Sequence, residues 1–361
     1  MPIESRVLIF TTAYRPLVGG SEIALEEIIR RLPNVFFDIL TPRYKTELER
    51  IEYFDNGCIH RVGFGSPMDK LFFPISGFLL AIKFSPKHIH AYQASFGAGA
   101  AFIYKTFFPK TRFILTLQEG KDLYKQNFLI KYFRDLIIRK ADVVTVISHY
   151  LANYAKKINP KAELHMISNG VDLDKFRHMP NSDENTVITV SRLVPKNGVG
   201  DIVKAVGLVK RDIADVRLII VGSGPLEKEI RQSVKDLDLE DRVIMAGSQS
   251  LENVAGYLAK AKVFVRPSLS EGLGSAFLEA MAVGLPVIGT AVGGIPDFLK
   301  DGETGLFCKV ADPKDLAEKI VRILKDEQLR EKITINARAL IVQKYDWNII
   351  ANEFAKIYER I

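Results

Sequence analysis

Two glutamates carry the plainest chemical signal in this sequence. They stand in the segment from Phe264 to Gly294, FVRPSLSEGLGSAFLEAMAVGLPVIGTAVGG. A short apolar run ends at Arg266-Pro267-Ser268, the loop Glu271-Gly272-Leu273-Gly274 follows, and a helix is expected to start near Ser275. Glu271 therefore lies in the loop and Glu279 on the helix, so the two carboxylates do different jobs. The glycine-rich turn offers backbone N–H groups and the positive end of a helix dipole to a diphosphate or a sugar hydroxyl. A carboxylate placed like Glu279 suits a pair of ribose hydroxyls. Charged residues are mostly exposed, so two glutamates outside such a context would read as solvated surface.

Two further glycine turns sit where a strand gives way to a helix. Arg15-Pro16-Leu17-Val18-Gly19-Gly20-Ser21-Glu22 precedes a helix over Glu22 to Leu32. Gly19 and Gly20 would let a phosphate reach N–H groups at that helix N-terminus. A tight turn with Ser21 as N-cap accounts for the same residues. The adjacent glycines exclude the G-x-G-x-x-G dinucleotide fingerprint. In Val221-Gly222-Ser223-Gly224-Pro225-Leu226, Gly222 and Gly224 serve either a turn or a phosphate cradle, with Pro225 in the first helical turn.

The elements that must position these residues read as alternating strands and helices. Short β-branched runs at Val7 to Phe10, Phe36 to Leu40, His88 to Tyr92, Phe113 to Leu117, Val143 to Ile147 and Leu164 to Ile167 are separated by helical patterns. After Asn169-Gly170 a polar stretch, Asp172 to Asn185, has the composition of a linker. A second series follows at Val187 to Val190, Val216 to Val221, Arg242 to Met245, Val263 to Val265 and Pro286 to Gly289, with a helix over Leu226 to Leu237. Amphipathic helices over Lys314 to Lys325 and Trp347 to Tyr358 close the chain. The fold class is α/β, with two Rossmann-like doubly wound domains expected at 1–171 and 185–345. Ligands of open α/β sheets bind outside the strand carboxyl ends, so a cleft between the domains is the expected site.

A chain of 361 residues exceeds what one core usually supports, and its 47% hydrophobic and 26% charged residues are ordinary for a soluble globular protein. Cys58 and Cys308 stand alone, which suits free thiols in a reducing, cytoplasmic compartment, and neither has metal-ligand neighbours. The first apolar run is too short for a secretion signal and has Glu4 beside it. Leu71 to Phe84, LFFPISGFLLAIKF, is too short to span a bilayer and reads as a buried helix. The net charge of +7 falls within the N-terminal half, which could face anionic lipid or a phosphorylated acceptor. In that half, Lys121 to Lys140 interleaves basic residues with Tyr124, Phe128, Tyr132 and Phe133. It fits peripheral contact with an anionic membrane, or, as the blander expectation, a core-facing helix that buries Phe128, Ile130, Phe133, Leu136 and Ile137. Nothing accompanies the basic excess that would read nucleic acid, so nucleic acid is not an expected partner.

Taken in order, these pieces resemble the retaining glycosyltransferases of family 4, which have the GT-B fold. The chain has Gly19-Gly20-Ser21-Glu22, Asn169-Gly170-Val171-Asp172, Arg192-Leu193, Gly222-Ser223-Gly224-Pro225-Leu226, and Pro267-Ser268 through Glu271-Gly272-Leu273-Gly274 to Glu279-Ala280-Met281-Ala282 and Pro286-Val287. The resemblance implies that Gly19 and Gly20 approach the donor diphosphate, Arg192 neutralises it, and Glu279 holds the ribose. Ser268, Glu271 and the backbone of Gly272, Leu273, Gly274 and Ser275 would hold the donor sugar and phosphates, with Gly222 and Gly224 also on the donor side. It further implies a C-terminal helix, 346–361, that crosses back to the first domain, and no cofactor and no divalent metal, since arginine, lysine and helix N-termini stabilise the leaving diphosphate.

Two positions depart from the family pattern. Where the family usually has histidine after the strand at Phe113 to Leu117, this chain has Gln118-Glu119. Gln118 would hydrogen-bond the sugar and Glu119 would sit near positive charge developing at the anomeric carbon. The family lysine after the arginine aligns with Asn197, with Lys196 one position earlier. The resulting expectation is a retaining transferase that moves a sugar from a UDP- or GDP-sugar to a carbohydrate or lipid-linked acceptor. The rival readings are a nucleotide-sugar-binding protein without turnover and a GT-B epimerase.

Overall fold

The structure, a computed structural model, describes residues 5–16, 19–120, 123, 126–178 and 184–360. Glu4, Leu17 and Val18, residues 121, 122, 124 and 125 of the basic aromatic stretch, and residues 179–183 of the expected linker lie outside the described residues. The chain forms two units, Met1–Asn169 with Trp347–Ile361 and Gly170–Asp346.

The first unit runs β1 (Ser5–Thr11), α1 (Gly20–Arg31), β2 (Val35–Pro42), β3 (Ile51–Phe54), β4 (Gly57–Val62), α2 (Asp69–Ile82) and β5 (His88–Tyr92). It continues through α3 (Phe96–Phe107), β6 (Arg112–Leu117), α4 (Phe128–Lys140), β7 (Val143–Val146), α5 (His149–Ile158) and β8 (Glu163–Met166). The sheet order is β3-β4-β2-β1-β5-β6-β7-β8, and only the β3–β4 pair is antiparallel. Val7, Leu8, Ile9 and Phe10 of β1 are buried on both faces, which is why the strand reads as an unbroken apolar run. Chain order reverses at β1, flanked by β2 and β5, and such a switch point is where a ligand crevice opens at the carboxyl edge.

The second unit runs β9 (Thr186–Val190), α6 (Val199–Val209), β10 (Arg217–Val221), α7 (Glu227–Asp236), β11 (Val243–Gly247), α8 (Leu251–Leu258), β12 (Val263–Arg266) and α9 (Ser275–Val283). It ends with β13 (Val287–Thr290), β14 (Leu306–Cys308), α10 (Pro313–Lys325) and α11 (Glu327–Lys344). Its parallel sheet has the order β11-β10-β9-β12-β13-β14, with the switch point at β9 between β10 and β12. The core packs α6 and α10 against these strands, with Val203, Val206, Leu316 and Ile320 among its buried members.

The last helix, α12 (Trp347–Glu359), belongs to the first unit and packs on α1 and β1 through Trp347, Ile350, Phe354 and Tyr358. A buried polar column joins it to the sheet. The Tyr358 hydroxyl is 2.8 Å from Nδ1 of the fully buried His90, whose Nε2 is 2.7 Å from Thr116 Oγ1. Burial pulls the His90 imidazole down to about 3, so it is neutral at ordinary pH.

Two expectations about apolar segments are overturned. The Leu71 to Phe84 stretch does form a helix, α2, but only one stripe of it is buried. Phe73, Gly77 and Ala81 face inward while Phe72, Ile75 and Leu79 face solvent. In α4 the expected core residues Phe128, Ile130 and Phe133 are exposed, and the charged Arg134 and Asp135 are buried in their place. Internal bonding makes that inversion tolerable. Arg134 donates to the Tyr154 hydroxyl at 2.7 Å and the Leu123 carbonyl at 2.9 Å, Tyr154 donates to Asp135 at 2.5 Å, and Lys131 pairs with Asp135 at 2.6 Å. Of the other two, Ile137 is buried and Leu136 partly so.

Candidate active site

In the first unit the candidate residues gather at the carboxyl edge beside the β1–β5 switch point. Helix α1 starts at Gly20 with Gly19 as its cap and no capping side chain, so its first N–H groups are left for another acceptor. The N-cap reading of Ser21 is corrected: its hydroxyl lies inside the first turn, donating to Glu22 at 2.8 Å and accepting from Gln93 at 3.0 Å. A Cβ on Gly20 would meet nothing within 4 Å, so no neighbour in the fold requires glycine there. The glycine instead keeps the approach to the N–H groups open.

Past β6, Gln118 accepts from Asn169 Nδ2 at 3.4 Å. Glu119 accepts from the Ala94 N–H at 2.8 Å through Oε1, while its buried Oε2 has no hydrogen-bond partner. Burial raises the Glu119 pKa, and the Ala94 bond opposes this. Gln93, which no motif marked, sits just past β5 with φ at 63° and joins this edge to Ser21. A left-handed glutamine at a strand end has no sequence signature, so only the structure reveals it.

The second unit brings the charged candidates together at the carboxyl ends of β9 and β12. Glu271 is buried, and its Oε2 accepts from Arg266 Nη2 at 2.5 Å. Its Oε1 accepts from the Gly272 N–H at 3.0 Å and lies 3.7 Å from Lys196 Nζ. Burial lowers the Lys196 ammonium pKa; Glu271 opposes this, and Arg266 and Arg192 add to it. Arg192 is exposed just past β9. Asn197 is turned inward: its Nδ2 donates to the Arg192 carbonyl at 2.7 Å and its Oδ1 accepts from Arg266 at 3.1 Å. Its amide thus holds the two arginine-bearing segments together.

Next to this cluster α9 begins with Gly274 as its cap, in the left-handed region at φ 95° and with no capping side chain. The N–H groups of its first turn and the helix dipole are thus available to an anion. Leu273 is buried under the loop and Ser275 partly exposed above it. Ser268 is fully buried with its hydroxyl unpaired, and its carbonyl accepts from Thr290 at 2.5 Å. Glu279, partly exposed on α9, has its carboxyl pushed up to about 7 by burial, with Arg266 opposing.

Gly222 and Gly224 serve the backbone here. Gly222 has φ 135°, and a Cβ on it would lie 1.9 Å from the Ser191 carbonyl. The turn is tied to the segment carrying Arg192 by Leu193 N–H to Ser223 O at 3.0 Å and Leu226 N–H to Leu193 O at 3.1 Å. The glycines therefore let one loop support the other. Gly293, at φ 55°, does the same for Glu271, whose carbonyl would lie 1.7 Å from an added Cβ.

Comparison with known proteins identifies the family and the fold. Residues 18–175 match Glycosyltransferase Family 4 and residues 170–340 match Glycosyl transferases group 1. N-acetyl-alpha-D-glucosaminyl L-malate synthase of Bacillus anthracis is 31% identical over 287 residues, 75% of this chain and 74% of its own. An uncharacterized glycosyltransferase of Methanocaldococcus jannaschii is 30% identical over 365 residues, 98% of each chain. Sucrose-phosphate synthase from Thermosynechococcus elongatus has a TM-score of 0.86 at 22% identity, covering 99% of this chain and 98% of its own. Anabaena HepE, solved in complex with UDP and glucose, has a TM-score of 0.82 at 19% identity, covering 99% of this chain and 100% of its own. These structures share the GT-B fold with it, and the chain belongs to the family 4, group 1 glycosyltransferases.

Proposed function

We propose that this glycosyltransferase takes a sugar from a UDP- or GDP-sugar and passes it to a carbohydrate or lipid-linked acceptor with retention at the anomeric carbon. The observation that carries the reading is the cluster at the carboxyl ends of β9 and β12. Lys196 and Arg266 face one buried carboxylate, Glu271, with Arg192 near enough to act on Lys196, beside the uncapped start of α9. The surplus of positive charge suits a diphosphate leaving group. Arg192 and Lys196 neutralise the diphosphate, Gly272 to Ser275 present backbone N–H groups, Glu271 holds a donor-sugar hydroxyl and Glu279 the ribose. Asn197, Gly222 and Gly224 keep these groups in place. In the first unit, Gly19 and Gly20 offer N–H groups to an anionic oxygen. Gln118 and the unpaired oxygen of Glu119 serve the sugar being transferred.

In the transfer, the bond from the anomeric carbon to the donor phosphate oxygen breaks. The acceptor oxygen bonds on the same face, and its proton moves to the departing phosphate oxygen, giving a nucleoside diphosphate. The protein's cations supply the charge stabilisation, so turnover is expected to persist in a chelator. Buried free thiols at Cys58 and Cys308 fit a cytoplasmic setting. A second reading, donor binding without turnover, draws on Asn197, whose side chain is committed inward where the family lysine stands.

A thermal-shift screen against UDP-, GDP-, ADP- and TDP-sugars in chelator, repeated with Glu279→Ala, tests the assignment. A shift for one base class that the substitution abolishes, with acceptor-dependent release of that nucleoside diphosphate and an unchanged anomeric configuration in the product, bears it out. A shift without release across a broad acceptor panel selects the binding-only reading. No shift with any donor removes the donor site.

A further inference from the structure

Gln93 follows β5, which lies between β1 and β6 in the first sheet, and its backbone is tied on both sides. Its N–H donates to the Thr116 carbonyl of β6 at 2.9 Å, and its own carbonyl accepts from the Ser95 N–H at 2.9 Å. The Ser95 hydroxyl is in turn 2.7 Å from the hydroxyl of Thr12, just past β1. Between these ties Gln93 is held at φ 63°, in the left-handed region. The peptide that follows presents the Ala94 N–H to Glu119 Oε1 at 2.8 Å, while the side-chain Nε2 donates to Ser21 Oγ at 3.0 Å in the first turn of α1. One residue thus ties the carboxylate past β6 to the start of α1.

The backbone does not ask for glutamine. A residue other than glycine is strained in the left-handed region, and such strain collects where function needs it. Glycine would make the same turn without strain and keep the bonds to Thr116 and Ser95. What glycine lacks is the amide that reaches Ser21. Without that amide, Ser21 keeps its bond to Glu22 on the same helix and loses its tie to the end of β5.

We propose that Gln93 is a positioning residue for glycosyl transfer, whose amide acts through Ser21 to hold the start of α1 in register with Glu119. The inference rests on the roles given above to Glu119, for the sugar, and to the start of α1, for an anionic oxygen. Gln93→Gly, Ser21→Ala and the double variant are compared with the wild type by release of UDP or GDP from UDP-glucose, UDP-N-acetylglucosamine and GDP-mannose, with water as acceptor. For a donor that the wild type turns over, kcat should fall at least tenfold in Gln93→Gly while KM changes far less. Its melting temperature should be unchanged or raised, because the strain removed offsets the freedom that glycine gives the unfolded chain. Ser21→Ala should show a similar loss, and the double variant no further loss than the larger single one. Wild-type turnover in Gln93→Gly, or losses that multiply in the double variant, overturns this inference alone. A fall in turnover matched by a fall in melting temperature marks a structural role and also overturns it. No nucleotide release by the wild type removes the transfer reading and this inference with it.

Discussion

Arg266 Nη2 lies 2.5 Å from Glu271 Oε2 and 3.1 Å from Asn197 Oδ1, so one guanidinium binds the loop before α9 to the segment after β9. Both members of the pair are buried. Removing the carboxylate alone strands a buried cation, which typically costs about 3–5 kcal/mol, whereas replacing both charges with apolar groups is often neutral. Glu271→Leu is therefore expected to lower the denaturation midpoint strongly. Arg266→Met/Glu271→Leu should recover most of that stability and remain unable to release nucleotide. A double variant no more stable than Glu271→Leu would sink this account.

The Glu279 carboxyl titrates near 7, because burial favours its protonated form. A raised carboxyl pKa means the folded state holds the proton more tightly, so this contribution to stability is complete below about 4.5 and is lost as pH rises towards 7. Ribose hydroxyls donate to the ionised form, so donor affinity should move the opposite way and strengthen as pH rises through about 7. Isothermal titration across that range should show the rise in the wild type and a flat profile in Glu279→Gln.

Two glycines separate ligand access from backbone need. Gly20 is open and helical, so Gly20→Ala should leave stability unchanged or raise it by up to about 1 kcal/mol, while weakening anion binding at the start of α1. Gly293 is left-handed and pressed on the Glu271 carbonyl, so Gly293→Ala should cost at least about 2 kcal/mol and displace the Glu271 loop. Urea denaturation with donor titration reads both. Comparable destabilisation by the two substitutions would contradict the distinction.

His90 is neutral in the fold and has a pKa of about 3, against an unfolded value near 6.5. The folded state binds fewer protons, so stability is complete above about 6.5 and falls by about 1.4 kcal/mol per pH unit as the solution is acidified below it. Denaturation curves between neutral pH and about pH 5 should show this slope in the wild type and a smaller one in His90→Gln. Tyr358→Phe, which strips a partner from the buried ring, should cost about 1–3 kcal/mol at neutral pH and loosen α12 in hydrogen exchange.

Strands buried on both faces were legible because period and composition agree. His88 to Tyr92 is read with its observed bounds, and Thr186–Val190 begins one residue before the expected Val187. The β3–β4 hairpin escaped notice although Asp55-Asn56-Gly57 is a turn signal, because β3 has only four residues and His60 and Arg61 interrupt the apolar run of β4. Helix α11 was missed for a related reason: its buried face is Ile333, Thr334, Ala337 and Ile341, with Ile335 and Val342 exposed, so the stripe is blurred. Asp326 both ends α10 and caps α11, leaving no loop between them to announce a new element.

The sequence by itself determined the α/β class, most of the strands of both sheets in chain order, and the glycine, arginine and glutamate motifs of a family 4 glycosyltransferase. Those follow from local periodicity and spacing, which a one-dimensional chain displays. Tertiary structure alone decided that Asn197 bonds Arg266 inward and that Gln93 joins α1 to the end of β5. It also decided that Arg134 and Asp135 are buried while Phe128, Ile130 and Phe133 face outward. Hydrophobicity places Phe133 inside, but a charged pair bonded to Tyr154, Lys131 and a backbone carbonyl can take that place. Tyr154 comes from α5 and the carbonyl from Leu123, outside α4, so the outcome depends on which groups the fold brings together.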